Sequence, residues 1–271
     1  MNASLLPWLL AAVLALAGGL LDLAAGPRTV PPKRRVARLV LAAVLAILLL
    51  GGFGWRSIAS GWWFDAAEAL VLLAVGGIVG VALLAWRPAP RQQAAPGVGL
   101  LGTAAITGLA ILAVSGAPAV PEAMREWSFV ARNVLAGLAL GAWLPASVAS
   151  TLFALRTRGA EPDREGETES FPQRGRLPDP GRLPALAGFP LHTAALLLTI
   201  VWNVNTYAAP WRTERLDLWL LVAWLLAAAY LHATSPWRPL GLPAWFPALI
   251  SAAVFGAGIL SALSAGLLLV G

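Results

Sequence analysis

Eight apolar blocks, each about long enough to cross a bilayer as a helix, are separated by mostly short polar gaps in this sequence. They run over about Leu5–Ala25, Leu39–Trp55, Phe64–Trp86, Val98–Ala117, Phe129–Leu155, Leu186–Tyr207, Leu216–Ala233 and Trp245–Val270. A helix rises about 1.5 Å per residue, so roughly 20 residues match a hydrocarbon core of roughly 30 Å. A helix on a soluble core would carry a polar stripe along one face. These blocks are apolar all round. The sequence therefore predicts an all-α fold, a polytopic membrane bundle of about eight transmembrane helices. It forms a single transmembrane domain over 1–271 with no separate soluble domain. Composition agrees: 59% of residues are hydrophobic and 12% charged, where a soluble domain carries about 25% charged residues. The first block is not expected to be a cleaved signal, because Met1-Asn2-Ala3-Ser4 brings no basic residue ahead of it.

Basic residues are spread unevenly over the gaps. Arg28, Lys33, Arg34, Arg35, Arg38, Arg87, Arg91, Arg156, Arg158, Arg164, Arg174, Arg176, Arg182 and Arg238 fall in alternate gaps. Only Arg56, Arg125, Arg132, Arg212 and Arg215 fall in the others. Cytoplasmic loops of membrane proteins are the richer in Lys and Arg. The first set is therefore expected to face the cytoplasm, with both termini outside, in a multi-pass protein of the cell (plasma) membrane. The net charge of +6 then reads as a topology signal and a contact with anionic lipid in the bilayer. It does not read as a nucleic-acid footprint.

The long gap from Arg156 to about Pro184 is rich in Pro, Gly, Glu and Arg and has no apolar period. It is expected to be a flexible cytoplasmic loop, with a docking site for a soluble partner as the alternative. The outer gaps hold Trp55, Trp62, Trp63, Trp127 and Trp211. An interfacial aromatic belt accounts for most of them. Asp65 and Glu68 stand where a span begins, and carboxylates there usually have a role. They are expected to pair with Arg125, Arg132 or Arg215.

The most specific stretch runs from Gly188 to His232. It opens Gly188-Phe189-Pro190-Leu191-His192-Thr193 and reaches Trp202 twelve residues after Pro190. Tyr207, Trp211, Glu214, Asp217, Trp219 and Trp224 follow, and Tyr230-Leu231-His232 closes it. This pattern resembles the cytochrome c assembly family: the system II cytochrome c synthases, their system I haem-handling relatives, and the HemX-type membrane proteins of haem biosynthesis. In that family a Gly-Phe-Pro-Leu-x-Thr helix start leads to a Trp, then to an external Trp-rich loop containing Asp. A helix with Trp residues five apart then ends in Tyr-Leu-His. Glu68-Ala69-Leu70 adds a weaker match to the family's Glu-x-Leu. The family-like core is placed at about 62–270.

Departures from the pattern bear on chemistry. Tyr207 replaces the loop's first Trp, Trp211 is kept, and Thr213 replaces the Trp beside the acid. Glu214 stands for the usual Asp, and Arg215-Leu216-Asp217 for Pro-Lys-Glu. Arg132 falls roughly where the family has an outward histidine at the start of span five. The resemblance implies haem as cofactor, here haem b. Haem iron takes axial ligands, most often imidazole. The chain has no cysteine, two methionines (Met1 and Met124) and two histidines. His232 and His192 are therefore the candidate iron ligands. They lie at ends of adjacent spans that a short connection is expected to bring to similar depth. The plainer reading of each is a hydrogen-bonded interfacial histidine, and the family often has leucine where His192 stands. Trp202, Trp211, Trp219 and Trp224 are the implied aromatic surface for the cofactor. Arg132 is the implied partner of a haem propionate, or else a contact to lipid headgroups.

No catalytic residues are assigned, for the sequence has no Ser or Cys triad, no phosphate-cradling glycine loop and no zinc-ligand spacing. An enzymatic role would be as part of a cytochrome c haem lyase or synthase system. The expected function is haem binding and delivery across the membrane in cytochrome c maturation. Expected partners are haem, a system II partner membrane protein and apocytochrome c, with no nucleic acid. The alternatives are a non-catalytic HemX-type regulator or assembly scaffold, and a small-molecule transporter.

Overall fold

A computed structural model of the protein describes residues 5–25, 32–60, 66–86, 95–113, 126–158, 179–210, 215–235, 243 and 245–267. These residues form eight helices: α1 (Leu6–Ala24), α2 (Pro32–Ser60), α3 (Ala66–Trp86), α4 (Ala95–Ala113), α5 (Trp127–Arg158), α6 (Arg182–Tyr207), α7 (Arg215–Ala233) and α8 (Trp245–Leu267). No strand occurs among the described residues. Each apolar block became one helix. Six are long and apolar enough to cross a membrane, and the apolar stretches described in α7 and α8 are shorter, Asp217–Ala233 and Trp245–Ser261. The chain is a multi-pass membrane protein.

Helix ends differ from the apolar blocks where polar residues find partners. α2 begins at Pro32 rather than near Leu39, because proline suits the first helical position and Lys and Arg are good helix formers. Its basic first turns are also engaged: Arg38 Nε meets Asp22 of α1 at 2.9 Å, and Arg35 donates to the Trp86 carbonyl and lies over the Trp86 ring. The loop expected over Arg156–Pro184 is shorter at both ends, since α5 continues to Arg158 and α6 starts at Arg182. Pro184 is buried inside α6; residues 159–178 lie outside the described set.

α3 and α5 form the centre of the bundle. α3 packs on α2, α4 and α5, while α5 also packs on α6 and α8. The two backbones touch at Gly76 and Gly141. A Cβ on Gly76 would stand 2.2 Å from the Leu138 carbonyl oxygen, and one on Gly141 would stand 2.0 Å from that of Leu73. Small residues that let backbones approach are what holds membrane helices together, because lipid tails are as apolar as leucine. α1 packs on α4 and α2, and α7 on α8 and α6.

Helices consecutive in the chain alternate in direction, so the bundle has two ends. One gathers the starts of α3, α5 and α7 with the close of α2 and α6, and is called here the Arg132 end. The other, the Tyr230 end, gathers the starts of α2, α6 and α8. Trp55 and Trp127, both 65% exposed, lie toward the first, and Trp86 (61%) and Trp245 (44%) toward the second. Indole rings at both levels fit the two interfaces of a bilayer. Trp62, Trp63 and Trp211 lie outside the described residues.

Candidate functional site

At the Arg132 end, three helices meet around a buried ion pair. On α5, Phe129 and Arg132 are three residues apart and share a face. On α6, Trp202 and Asn203 point to the same place, and Asp217 lies in the first turn of α7. Arg132 Nη2 donates to Asp217 Oδ1 at 3.0 Å, and Asn203 Nδ2 donates to Asp217 Oδ2 at 2.9 Å. Both carboxylate oxygens are thus occupied. The guanidinium carbon of Arg132 sits 5.6 Å from the Phe129 ring centre and 5.3 Å from that of Trp202. Aromatic faces attract a cation electrostatically, and more strongly where water is excluded. Arg132 and Asp217 are 1% and 2% exposed. Charges so deep are tolerated only when paired, and the first turn of a helix favours a carboxylate.

Nearby, Trp202 meets Tyr207 edge-on at 5.4 Å. Glu126 accepts hydrogen bonds from Asn205 and Thr206, which ties the start of α5 to the end of α6. Glu68 pairs with Arg56 of α2 at 2.7 Å. Arg56 is not among the partners expected for Glu68: the end of α2 brings it beside the first turn of α3, while Arg132 pairs with Asp217 across the bundle; the side chain of Arg215 lies outside the described set. Asp65, Arg125 and Glu214 lie outside the described residues.

A second polar node closes the Tyr230 end. Ser150 donates to Asp179 Oδ1 at 2.8 Å and lies 2.9 Å from the Tyr230 hydroxyl. The Gly181 amide donates to the same Asp179 oxygen at 2.9 Å. Tyr230 is fully buried and packs edge-on against Trp143 at 5.2 Å. Sequence reasoning took Tyr230 only as part of a motif and missed Asp179 and Ser150. No local signal marks those two, which are 29 residues apart and joined only by the fold.

The histidines lie apart. His192 is fully buried on α6, with Nε2 3.0 Å from the Leu220 carbonyl of α7. A carbonyl only accepts, so Nε2 carries the hydrogen and Nδ1 is left with a lone pair and no hydrogen-bond partner. His232 is exposed in the last turn of α7. Successive residues turn about 100° around a helix, so His232 points nearly opposite to buried Tyr230. Leu220 and His232 are twelve residues apart, about 18 Å along α7. Two imidazoles on one metal ion each need to come within about 2 Å of it. The expected pairing at similar depth is therefore corrected. The register of α6 on α7, set by Asn203 with Asp217 and by Trp224 donating to Thr193 at 3.0 Å, places His232 level with the start of α6 instead. No group of three or more metal-binding side chains occurs among the described residues.

The aromatic candidates also separate. Trp202 is buried under Arg132, while Trp224 is half-buried and stacks on Phe189 at 5.7 Å. Trp219 is half-buried. Trp211 lies outside the described residues.

Comparison with known proteins gives partial matches to one family. The chain is 42% identical to the cytochrome c biogenesis protein CcsA of Thermosynechococcus vestitus over 53 residues, 19% of this chain and 17% of that one. It is 34% identical to CcsA of Synechococcus sp. (strain JA-3-3Ab) over 125 residues, 42% of this chain and 35% of the relative. The chain is related to the cytochrome c assembly family. CcsA of Pyropia yezoensis matches in the same way, at 36% over 53 residues. The matches span about a third or less of these CcsA relatives. No family model matches the chain, and no solved structure matches it.

Proposed function

We propose that this protein handles haem in cytochrome c biogenesis, in the plasma membrane, with its Arg132 end and both termini outside. The observation that carries the reading is the end of α7. There Tyr230 turns inward and meets Ser150, which anchors the helix, and His232 is left exposed, with no hydrogen-bond partner for its imidazole among the described residues. The relatives named above are cytochrome c biogenesis proteins, and the distribution of Lys and Arg supports the orientation.

Haem b, when bound, supplies an iron that takes axial ligands, most often imidazole. His232 would hold it from the cytoplasmic side as its single protein imidazole, a reading supported by the distance between the two histidines. His192 is proposed as a separate, deeper lone-pair donor. Trp219 and Trp224 of α7, together with Trp211, would offer aromatic surface on the path toward the outer face. Arg132, whose Nη2 is engaged by Asp217 Oδ1, would be the partner of a haem propionate. Apocytochrome c and a partner membrane protein are the proposed recipients.

An absorption spectrum of the purified protein loaded with haem tests this. His232→Ala is expected to abolish the Soret band of bound haem, and His192→Ala to leave most of it. Full retention in a His192→Ala, His232→Ala double variant would sink the ligand assignment and favour a scaffold role.

A further inference from the structure

α4 and α8 both pack against α5 but barely meet each other, and the strip of α5 between them is left uncovered. The result is a groove of about 310 Å³ lined by Val98 of α4, by Leu144, Val148, Thr151 and Leu152 of α5, and by Ala252 of α8. Ser147 lies on its floor, but its hydroxyl is directed to the Trp143 and Ser251 carbonyls, both at 2.7 Å. The groove therefore offers an occupant little polar contact, and in a bilayer no water fills such a space. From the geometry we infer that this groove holds one acyl chain of an anionic phospholipid from the cytoplasmic leaflet.

Size and depth select this occupant. A volume of about 310 Å³ holds roughly ten groups of methylene size, taking each as similar to a water molecule at ~30 Å³. From Leu152 to Leu144 the groove follows α5 for about 12 Å, close to one leaflet's half of a roughly 30 Å core. Val98 is the fourth residue of α4 and Ala252 the eighth of α8, so the groove opens toward the Tyr230 end. The backbone of α5 continues to Arg158, six residues beyond Leu152, into the gap where the sequence concentrates arginine. That is the level of a headgroup whose chain lies in the groove, and a phosphate is attracted to clustered Lys and Arg there. The leaflet assignment rests on the orientation proposed above; the groove itself does not depend on the haem reading.

The test is native mass spectrometry of the full chain released from mild detergent, after titration with phosphatidylglycerol or phosphatidylcholine of identical chains. Wild-type protein is expected to retain one phosphatidylglycerol in preference to phosphatidylcholine. Ala252→Phe, which fills the groove, is expected to lower that retention about tenfold; Ala253→Phe, on the neighbouring exposed face of α8, is expected to leave it unchanged. Thr151→Phe provides the same block from the other wall should Ala252→Phe fail to fold. Equal retention by groove and control variants would overturn the site, as would a change of oligomeric state in Ala252→Phe alone, which would mark a contact between copies. Equal retention of the two lipids, or full competition by soluble glycerol phosphate, would overturn the assignment of an anionic lipid held by its chain. Haem spectra of the same variants are expected to match wild type, so failure here is distinguishable from failure of the haem reading.

Discussion

Arg132 and Asp217 face each other from α5 and α7 at 3.0 Å, both almost completely buried, with Asn203 of α6 on the far oxygen of the carboxylate. Removing one partner strands the other charge away from water. Asp217→Asn or Arg132→Met is expected to destabilise the protein by about 3–5 kcal/mol. The double variant Arg132→Met, Asp217→Leu should recover much of that loss. Denaturant or thermal unfolding in detergent measures this, and a double variant no better than the singles would argue against a coupled pair.

Glu68→Gln keeps the shape of the side chain and removes the charge that Arg56 contacts at 2.7 Å. Stability is expected to fall while the spectrum of any bound haem stays unchanged. An altered Soret band at unchanged stability would place Glu68 in contact with the cofactor instead.

At the Tyr230 end, Gly181→Ala would put a Cβ 2.4 Å from both the Ala146 carbonyl oxygen and Ser150 Oγ. Overpacking of this kind is expected to destabilise by about 1–3 kcal/mol. Tyr230→Phe removes the hydroxyl that meets Ser150 and Asp179, and each hydrogen bond so lost is expected to be worth about 1 kcal/mol. Unfolding curves of the two variants measure both losses.

The separation of the histidines has a spectroscopic consequence. Haem held through His232 with no second protein imidazole is expected to be largely high-spin, converting to low-spin when free imidazole is added. A low-spin spectrum that loses its character in His192→Ala would mean that the two rings share one iron, against the register of α6 on α7.

Reporter fusions within 159–178 are expected to report cytoplasm, and fusions near Trp211 the outer face. The reverse result would invert the bundle and with it the assignment of the Arg132 end.

Much of the architecture was legible because hydrophobic length alone determines where a helix crosses a membrane; all eight blocks became helices. Which face of each helix points inward was not. A helix apolar on every side carries no stripe separating lipid from protein, and the register between two such helices is set by sparse contacts such as Thr193 with Trp224. That is why His192 and His232 were expected together. The rare polar residues held better information: a charge inside a span requires a partner, and Arg132 and Glu68 both have one. Their identities, Asp217 and Arg56, depended on which helices pack together.

Gly76 and Gly141 bring α3 and α5 into backbone contact, with no side chain between them to act as a cushion. Two rods pressed together in this way cannot slide or rotate past each other without collision, so they act as the fixed axle of the molecule. Any breathing that admits a bulky guest must then come from outlying helices. α6 rests broadly on α5 but much more lightly on α7, which makes the seam between α6 and α7 the natural place for the bundle to part.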